Sequence, residues 1–296
     1  VPYKGPGKIG VGRVLLAGVL IAVAAVLISA SFGCKRVSRE EEKLFYDAER
    51  HLAASDYATA IEKFSVFVDK YPDSQLAAAS QYKTGYINYK FLKRPKDALK
   101  AYAVLLYVYP DSSYVINARE DRAAIFSDGD NHRQAVEEYI WLVKAGPESN
   151  AARYRFELAN EYMGVGDFKQ ARIELDDLLK KRPSSEYTER AHFLIAMTYF
   201  MGGEYLEAAN SFDYVMKKYA GQPVAMEAKL EKASSLIAGG YLGEAMKLLK
   251  ELEKEYPNKS IVRIKMVAVE ERMKSEIIAV PLPEGGNTQM KLRETD

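Results

Sequence analysis

Polar and apolar positions along this chain recur with a period near 37 residues. Ala60, Ala98, Ala135, Ala171, Ala208 and Ala245 follow one another at steps of 38, 37, 36, 37 and 37. Four residues after each alanine comes a large apolar side chain: Phe64, Tyr102, Tyr139, Leu175, Phe212 and Leu249. Seven after each comes another: Phe67, Leu105, Leu142, Leu178, Val215 and Leu252. Spacings of 4 and 3 put all three on one stripe of an α-helix, where the alanine lets a neighbouring helix approach. Twelve residues on, the helix is stopped by Pro72, Pro110, Pro147, Pro183 and Pro257; in the fifth copy Ala220 takes that place and Pro223 follows. Proline has no N–H for the helical ladder and pushes the residue before it out of the helical region.

The last three copies show a matching stripe ahead of the alanine. Ala159, Ala196 and Ala233 lie twelve residues before it, and Tyr162, Tyr199 and Leu236 nine before. Between the two stripes stand Gly166, Gly203 and Gly240, five before the alanine. Glycine accepts the left-handed geometry that closes a helix, so each predicts a tight helix-to-helix turn. The second and third copies depart here, with Arg94-Pro95-Lys96-Asp97 and Asp128-Gly129-Asp130-Asn131. Self-similarity at this period predicts stacked supersecondary units and no single-core domain. The expectation is an all-α chain of about six helix pairs over residues 40–260. A capping box, Ser38-Arg39-Glu40-Glu41, opens the first helix. An amphipathic helix over 261–279 with a polar outer face caps the last pair, and residues 280–296 form a flexible tail.

These features together resemble the tetratricopeptide repeat, a helix–turn–helix unit of about 34 residues. Gly166-Asp167-Phe168 through Ala171, Leu175 and Pro183 is the cleanest copy. The resemblance implies an α-solenoid that acts as a non-enzymatic protein-binding scaffold. It also implies a concave face, lined by the first helices, that receives an extended peptide or a partner's helix. In that register the groove-facing residues are Arg153, Phe156, Asn160 and Met163 of the fourth copy, and Arg190, Phe193, Met197 and Phe200 of the fifth. Methionines and aromatics beside arginine suit a partly apolar peptide. Packing between helices is the other reading of the same residues.

Ahead of the repeats, Lys4, Lys8 and Arg13 lead into an apolar run, Val14 to Ile28, then the small residues Ser29 to Gly33 and the only cysteine, Cys34. Residues 1–33 have the layout of a secretory signal. A lone cysteine in an exported chain pairs with another molecule or is modified. The segment resembles a bacterial lipoprotein signal, which implies that Cys34 is acylated; Gly33 fits, whereas Ser31 stands where leucine is usual. Two other outcomes stay open. Val14 to Gly33 is 20 uncharged residues, long enough to span about 30 Å of hydrocarbon as a retained helix, and cleavage after Ala30 or Ser31 would free the protein. With acylation, Lys35 next to the cysteine implies outer-membrane sorting.

Lipid anchor, short linker (residues 34–39) and repeats together resemble the BamD family of periplasmic lipoproteins in outer-membrane protein assembly. The implied place is the periplasmic face of the cell outer membrane. The implied partners are the assembly machinery or unfolded outer-membrane protein segments. Tyr71-Pro72-Asp73-Ser74 and Tyr109-Pro110-Asp111-Ser112 also resemble the CpoB family, whose members carry a coiled coil for which the spacer here leaves no room. An inner-membrane-anchored or CpoB-like repeat protein of secretion or cell division is the alternative.

Composition narrows this further. The chain has 296 residues, 48% hydrophobic and 28% charged, which suffices for extensive cores. Removing the three basic groups of residues 1–33 leaves 39 basic against 41 acidic side chains, a balance that gives no long-range pull toward nucleic acid, so none is expected as a partner. Gly5-Pro6-Gly7-Lys8-Ile9-Gly10 has dinucleotide-binding spacing but follows no strand and contains proline. His51, His132 and His192 sit in separate repeats without metal-site spacing, so no cofactor, metal or small-molecule substrate is expected. An envelope carbohydrate enzyme, the remote alternative, would need carboxylates gathered in a pocket. Lys180-Lys181-Arg182 and Lys217-Lys218 end helices, where cations suit the helix dipole. Lys90, Lys93, Arg94 and Lys96 lack that explanation and are candidates for contact with an anionic lipid surface or an acidic partner.

Overall fold

The computed structural model describes residues 37–279; the apolar segment, Cys34 and residues 280–296 lie outside the described residues. Thirteen α-helices are present among the described residues, and no strand. They form six pairs: α1 (Arg39–Ala53) with α2 (Tyr57–Lys70), α3 (Ala77–Tyr86) with α4 (Pro95–Val108), α5 (Tyr114–Asp128) with α6 (His132–Ala145), α7 (Ala151–Val165) with α8 (Phe168–Lys181), α9 (Thr188–Met201) with α10 (Tyr205–Lys218), and α11 (Pro223–Ala238) with α12 (Leu242–Glu255). A last helix, α13 (Lys259–Ala279), follows. The described residues divide within α5 into two compact units, one ending at Ala118 and the other beginning at Arg119. None of the helices among the described residues is long and apolar enough to cross a membrane.

The second helix of every pair is built on the same three positions. All six recurring alanines are 0% exposed, and every large residue four or seven positions later is buried. Burying each of those side chains contributes about 1.5–3 kcal/mol. The helix then ends in one way six times. The backbone N–H of Tyr71, Tyr109, Gly146, Arg182, Tyr219 or Tyr256 bonds to the carbonyl of the residue seven after the alanine. The next residue is proline in five of the six cases and Ala220 in the other, so proline enforces a stop that the cap already makes.

The turn within each pair is also shared, including where its sequence looked irregular. Gly166, Gly203 and Gly240 have φ of 86°, 78° and 82°. The residues five before the other three alanines are Ser55, Lys93 and Asp130, and they too are left-handed, with φ of 61°, 54° and 55°. Two of these three are short polar side chains that visit this region at low cost; a lysine there is strained.

The longest step, 38 residues from Ala60 to Ala98, has a local cause. Helix α3 runs into a π-helical turn, Ile87–Phe91, which absorbs the additional residue. The small residue expected twelve before the alanine is Tyr86, and its place is taken one position earlier by Gly85. That glycine is buried, and a Cβ on it would overlap the ring of Tyr102. The small-to-large contact is thus preserved by a shift of one residue.

At the N-terminal end the Ser38 hydroxyl accepts from the Glu41 N–H at 3.2 Å and so caps α1, and the Glu41 carboxylate accepts from the hydroxyls of Ser38 and Ser74. One expectation at the other end is corrected. Helix α13 does not present a wholly polar outer face. It buries Val262 and Val269 and leaves Ile261, Ile264 (68% exposed), Val267 and Met273 uncovered. Helix α13 packs on α11 and α12, and no second helix of its own follows it among the described residues.

Two stability outcomes follow. Gly85→Ala is expected to lower the unfolding free energy by about 1–2 kcal/mol despite alanine's higher helix propensity, because overpacking against Tyr102 outweighs it. Lys93→Gly is expected to raise it by about 0.5–1 kcal/mol by relieving the left-handed strain. Urea unfolding followed by circular dichroism reads both.

Candidate functional site

All candidate groove residues fall in the second unit, on the first helices α7 and α9. Because the step between these repeats is 37 residues, Arg153, Phe156, Asn160 and Met163 are equivalent to Arg190, Phe193, Met197 and Phe200. The next equivalents on α11 are Glu227, Leu230, Ser234 and Ile237. Six of the eight candidates are half-buried and Arg190 is exposed, so these seven can be touched from outside. Phe193 is 5% exposed and packs edge-on against Phe212, 5.4 Å between ring centres, so it serves chiefly as core.

Two clefts flank this face. One, of about 620 Å³, opens at the connection between the fourth and fifth repeats and brings Arg153 together with Lys181, Arg182, Ser184, Ser185 and Tyr187. The Tyr187 ring lies 5.0 Å from that of Phe156, which joins the cleft to the apolar part of the face. The second, of about 280 Å³, brings Arg190, Phe193 and Met197 against Glu227, Leu230, Glu231 and Tyr256. Phe193 forms the floor of this cleft through the little surface it exposes. Asn160, Met163 and Phe200 line neither cleft. Tyr187, Glu227 and Tyr256 were missed in the sequence, although Glu227 was reachable as the equivalent of Arg190 one repeat on.

Charge on this face is arranged in short pairs. Arg190 reaches Glu227 at 2.8 Å while its guanidinium lies 4.4 Å from the Phe193 ring centre. Arg153 pairs with Glu120, which also accepts from the Tyr154 hydroxyl. The Arg190–Glu227 pair is exposed and contributes little to stability, so its guanidinium can be diverted to a ligand at small cost, whereas the Arg153–Glu120 pair is half-buried. Beyond α11 the face is occupied. The Lys265 amine of α13 donates to the Ser234 hydroxyl at 2.8 Å, and Arg272 donates to the Ile237 carbonyl at 2.7 Å. Ser234 and the Ile237 backbone, the equivalents of Met197 and Phe200 in the sixth repeat, are therefore engaged by α13.

Buried polar groups hold the frame behind the face. Glu138, largely buried, takes Arg119 and Arg122 at 2.7 Å each. Glu161 accepts from the Ser127 hydroxyl at 2.6 Å and meets His132 Nδ1 at 2.8 Å. Burial, then the charges of Glu157 and Glu161, push the Tyr139 hydroxyl far above its usual range. Such groups are tolerable in a core only when their partners are present. His192, on the other side of α9, sets its Nδ1 2.9 Å from the Thr188 carbonyl and its Nε2 3.3 Å from the Lys218 amine. That arrangement suits the neutral ring: Nδ1–H donates to the Thr188 carbonyl, with the Tyr219 hydroxyl also 2.9 Å from Nδ1, and Nε2 accepts from Lys218. Burial, with Lys218 adding to it, holds His192 below the ordinary imidazole range. No group of three His, Cys, Asp or Glu gathered as for a metal ion is present among the described residues.

Models of the tetratricopeptide repeat match residues 79–112, 156–223 and 193–260. The chain carries tetratricopeptide repeats, the class of fold that typically serves as a non-enzymatic protein-interaction scaffold. Among solved structures it is similar to a tetratricopeptide repeat protein from Parabacteroides merdae, at 17% identity and a TM-score of 0.53, covering 81% of this chain and 89% of that one. It is also similar to a chain of the Naa15/Naa10 complex bound to HypK-THB, at 17% identity and a TM-score of 0.56, covering 78% of this chain and 39% of that one. At such identity the likeness shows the fold alone. No curated protein sequence matches the chain.

The His192 geometry carries a pH outcome. With a folded-state pKa below the unfolded value near 6.5, its contribution is complete above pH 6.5 and is lost as pH falls toward the folded pKa. The unfolding free energy should decline between pH 7 and 5.5 with a slope of less than one proton, and His192→Gln should flatten that decline. Urea titrations at stepped pH measure it.

Proposed function

We propose that the chain is a membrane-anchored protein-interaction scaffold of the bacterial cell envelope, acting in outer-membrane protein assembly. The observation that carries the binding part is the α7/α9 face: aromatic, methionine and arginine side chains at equivalent positions, flanked by two clefts and bounded by α13. An extended, partly apolar segment of an envelope protein suits it. Methionines and aromatics adapt to its apolar side chains, and Arg153 and Arg190 meet its carboxylates or carbonyls. The envelope part rests on residues 1–39: export layout, Cys34 after Gly33, and Lys35. Linked by few residues to the first repeat, an acylated Cys34 would hold the repeats close to the membrane.

Intact mass of the protein purified from membranes tests the anchor. The expected result is loss of residues 1–33, acyl mass on Cys34 and co-fractionation with the outer membrane; a retained 1–33 segment overturns it. Met197→Glu with Phe200→Glu is expected to weaken retention of an unfolded outer-membrane protein segment at least tenfold, with unchanged circular dichroism. Unchanged retention would remove the groove from the assignment.

A further inference from the structure

The turn between α3 and α4 combines four features that the groove does not use. The chain leaves the π-helical turn with the Leu92 N–H bonded to the Ile87 carbonyl at 3.0 Å and the Arg94 N–H to the Asn88 carbonyl at 2.8 Å. Leu92 packs into the core of the first unit, which pins the turn. Phe91 stays 43% exposed and stacks flat on Tyr57, at 4.7 Å and 9°. Lys93 is the one lysine among the six left-handed turn residues, at φ 54°. Lys90, Lys93, Arg94 and Lys96 are all exposed, and residues 90–96 contain no acid. Asp97, the next residue in the chain, pairs with Lys100 at 3.2 Å, and Asp56, beside the Tyr57 on which Phe91 stacks, pairs with His51 at 2.9 Å. Strained backbone and π-turns concentrate at functional sites.

We propose that this turn docks an acidic peptide segment of a partner protein, its Asp or Glu carboxylates on Lys93, Arg94 and Lys96 and an apolar side chain against Phe91. The arginine can take a carboxylate through two parallel N–H bonds, and the exposed ring supplies apolar contact that a diffuse ion cloud does not need. A flat anionic bilayer is the poorer fit. Its attraction for basic segments builds up over many cations near the surface and fades within a Debye length. Residues 37–118 carry 11 basic and 11 acidic side chains, and α1 opens with Glu40, Glu41 and Glu42. A short peptide meets the local cluster without meeting those acids.

Anisotropy of a fluorescein-labelled Glu-Glu-Phe-Glu-Glu peptide, titrated with the full chain in detergent, tests the proposal. Saturable binding is expected that weakens between 50 and 250 mM salt. Lys93→Glu, Arg94→Glu and Lys96→Glu combined should weaken it at least tenfold, with the thermal midpoint of the parent retained. Lys93→Gly, which keeps the backbone and removes one charge, should weaken it two- to fivefold while raising stability. Equal affinity of parent and triple variant, or equal binding of a Lys-Lys-Phe-Lys-Lys peptide, overturns the proposal. Phosphatidylglycerol vesicles serve as the second arm. If the triple variant loses vesicle co-sedimentation yet keeps the peptide, the turn is a lipid contact and the proposal fails. Loss of binding at this turn is independent of the Met197 and Phe200 readout, so either reading can fall alone.

Discussion

Two helices approach most closely where one of them carries a small residue at the crossing, and that arrangement recurs through the described structure. Six alanines provide it on the second helices, each wholly buried. A large side chain one turn on and another two turns on fill the space beside the contact. The constraint is strong enough to reorganise backbone. In the second repeat the residue twelve before Ala98 is Tyr86, too large for the contact. Gly85 supplies the small residue one position earlier, and a π-turn takes up the length. Packing rules of this kind act on volume, and the backbone yields before the volume does.

From that contact the turns inherit their geometry. A pair of antiparallel helices held at alanine distance must reverse within three residues, which forces the residue five before the alanine into the left-handed region. Glycine serves in three repeats, and serine, aspartate and lysine are driven into the same conformation by their surroundings in the others. The lysine makes the second turn unlike its five counterparts, and it is also the turn that gathers four cations and an exposed phenylalanine.

The candidate groove is a product of repetition. Stacking copies at a constant step places equivalent side chains next to one another, so Arg190 meets Glu227, one step further on, at 2.8 Å. Chemistry then varies along the row. Apolar and cationic residues face outward on α7 and α9, while the equivalent positions on α11 are engaged by Lys265 and Arg272 of α13. The end of the groove is therefore set by the last helix.

Helix pairing, the anchoring alanines, the large residues beside them and the stops at proline were legible in the residues alone, because each depends on spacings of three, four and twelve within one helix. So were the candidate positions, since a constant step carries a register from copy to copy. Other features depended on which side chains meet across helices. Phe193 had the same standing as Phe156 by spacing, and only its contact with Phe212 made it core. Glu138 and Glu161 carry no signal of burial in their spacing, and they are buried with Arg119, Arg122, Ser127 and His132 as partners. The left-handed Lys93 left no mark in composition, and the uncovered stripe of α13 exists because no helix follows it among the described residues. Period and register are local properties that a sequence determines by itself. Exposure, ion pairing and cleft shape arise between elements and were decided by the tertiary structure.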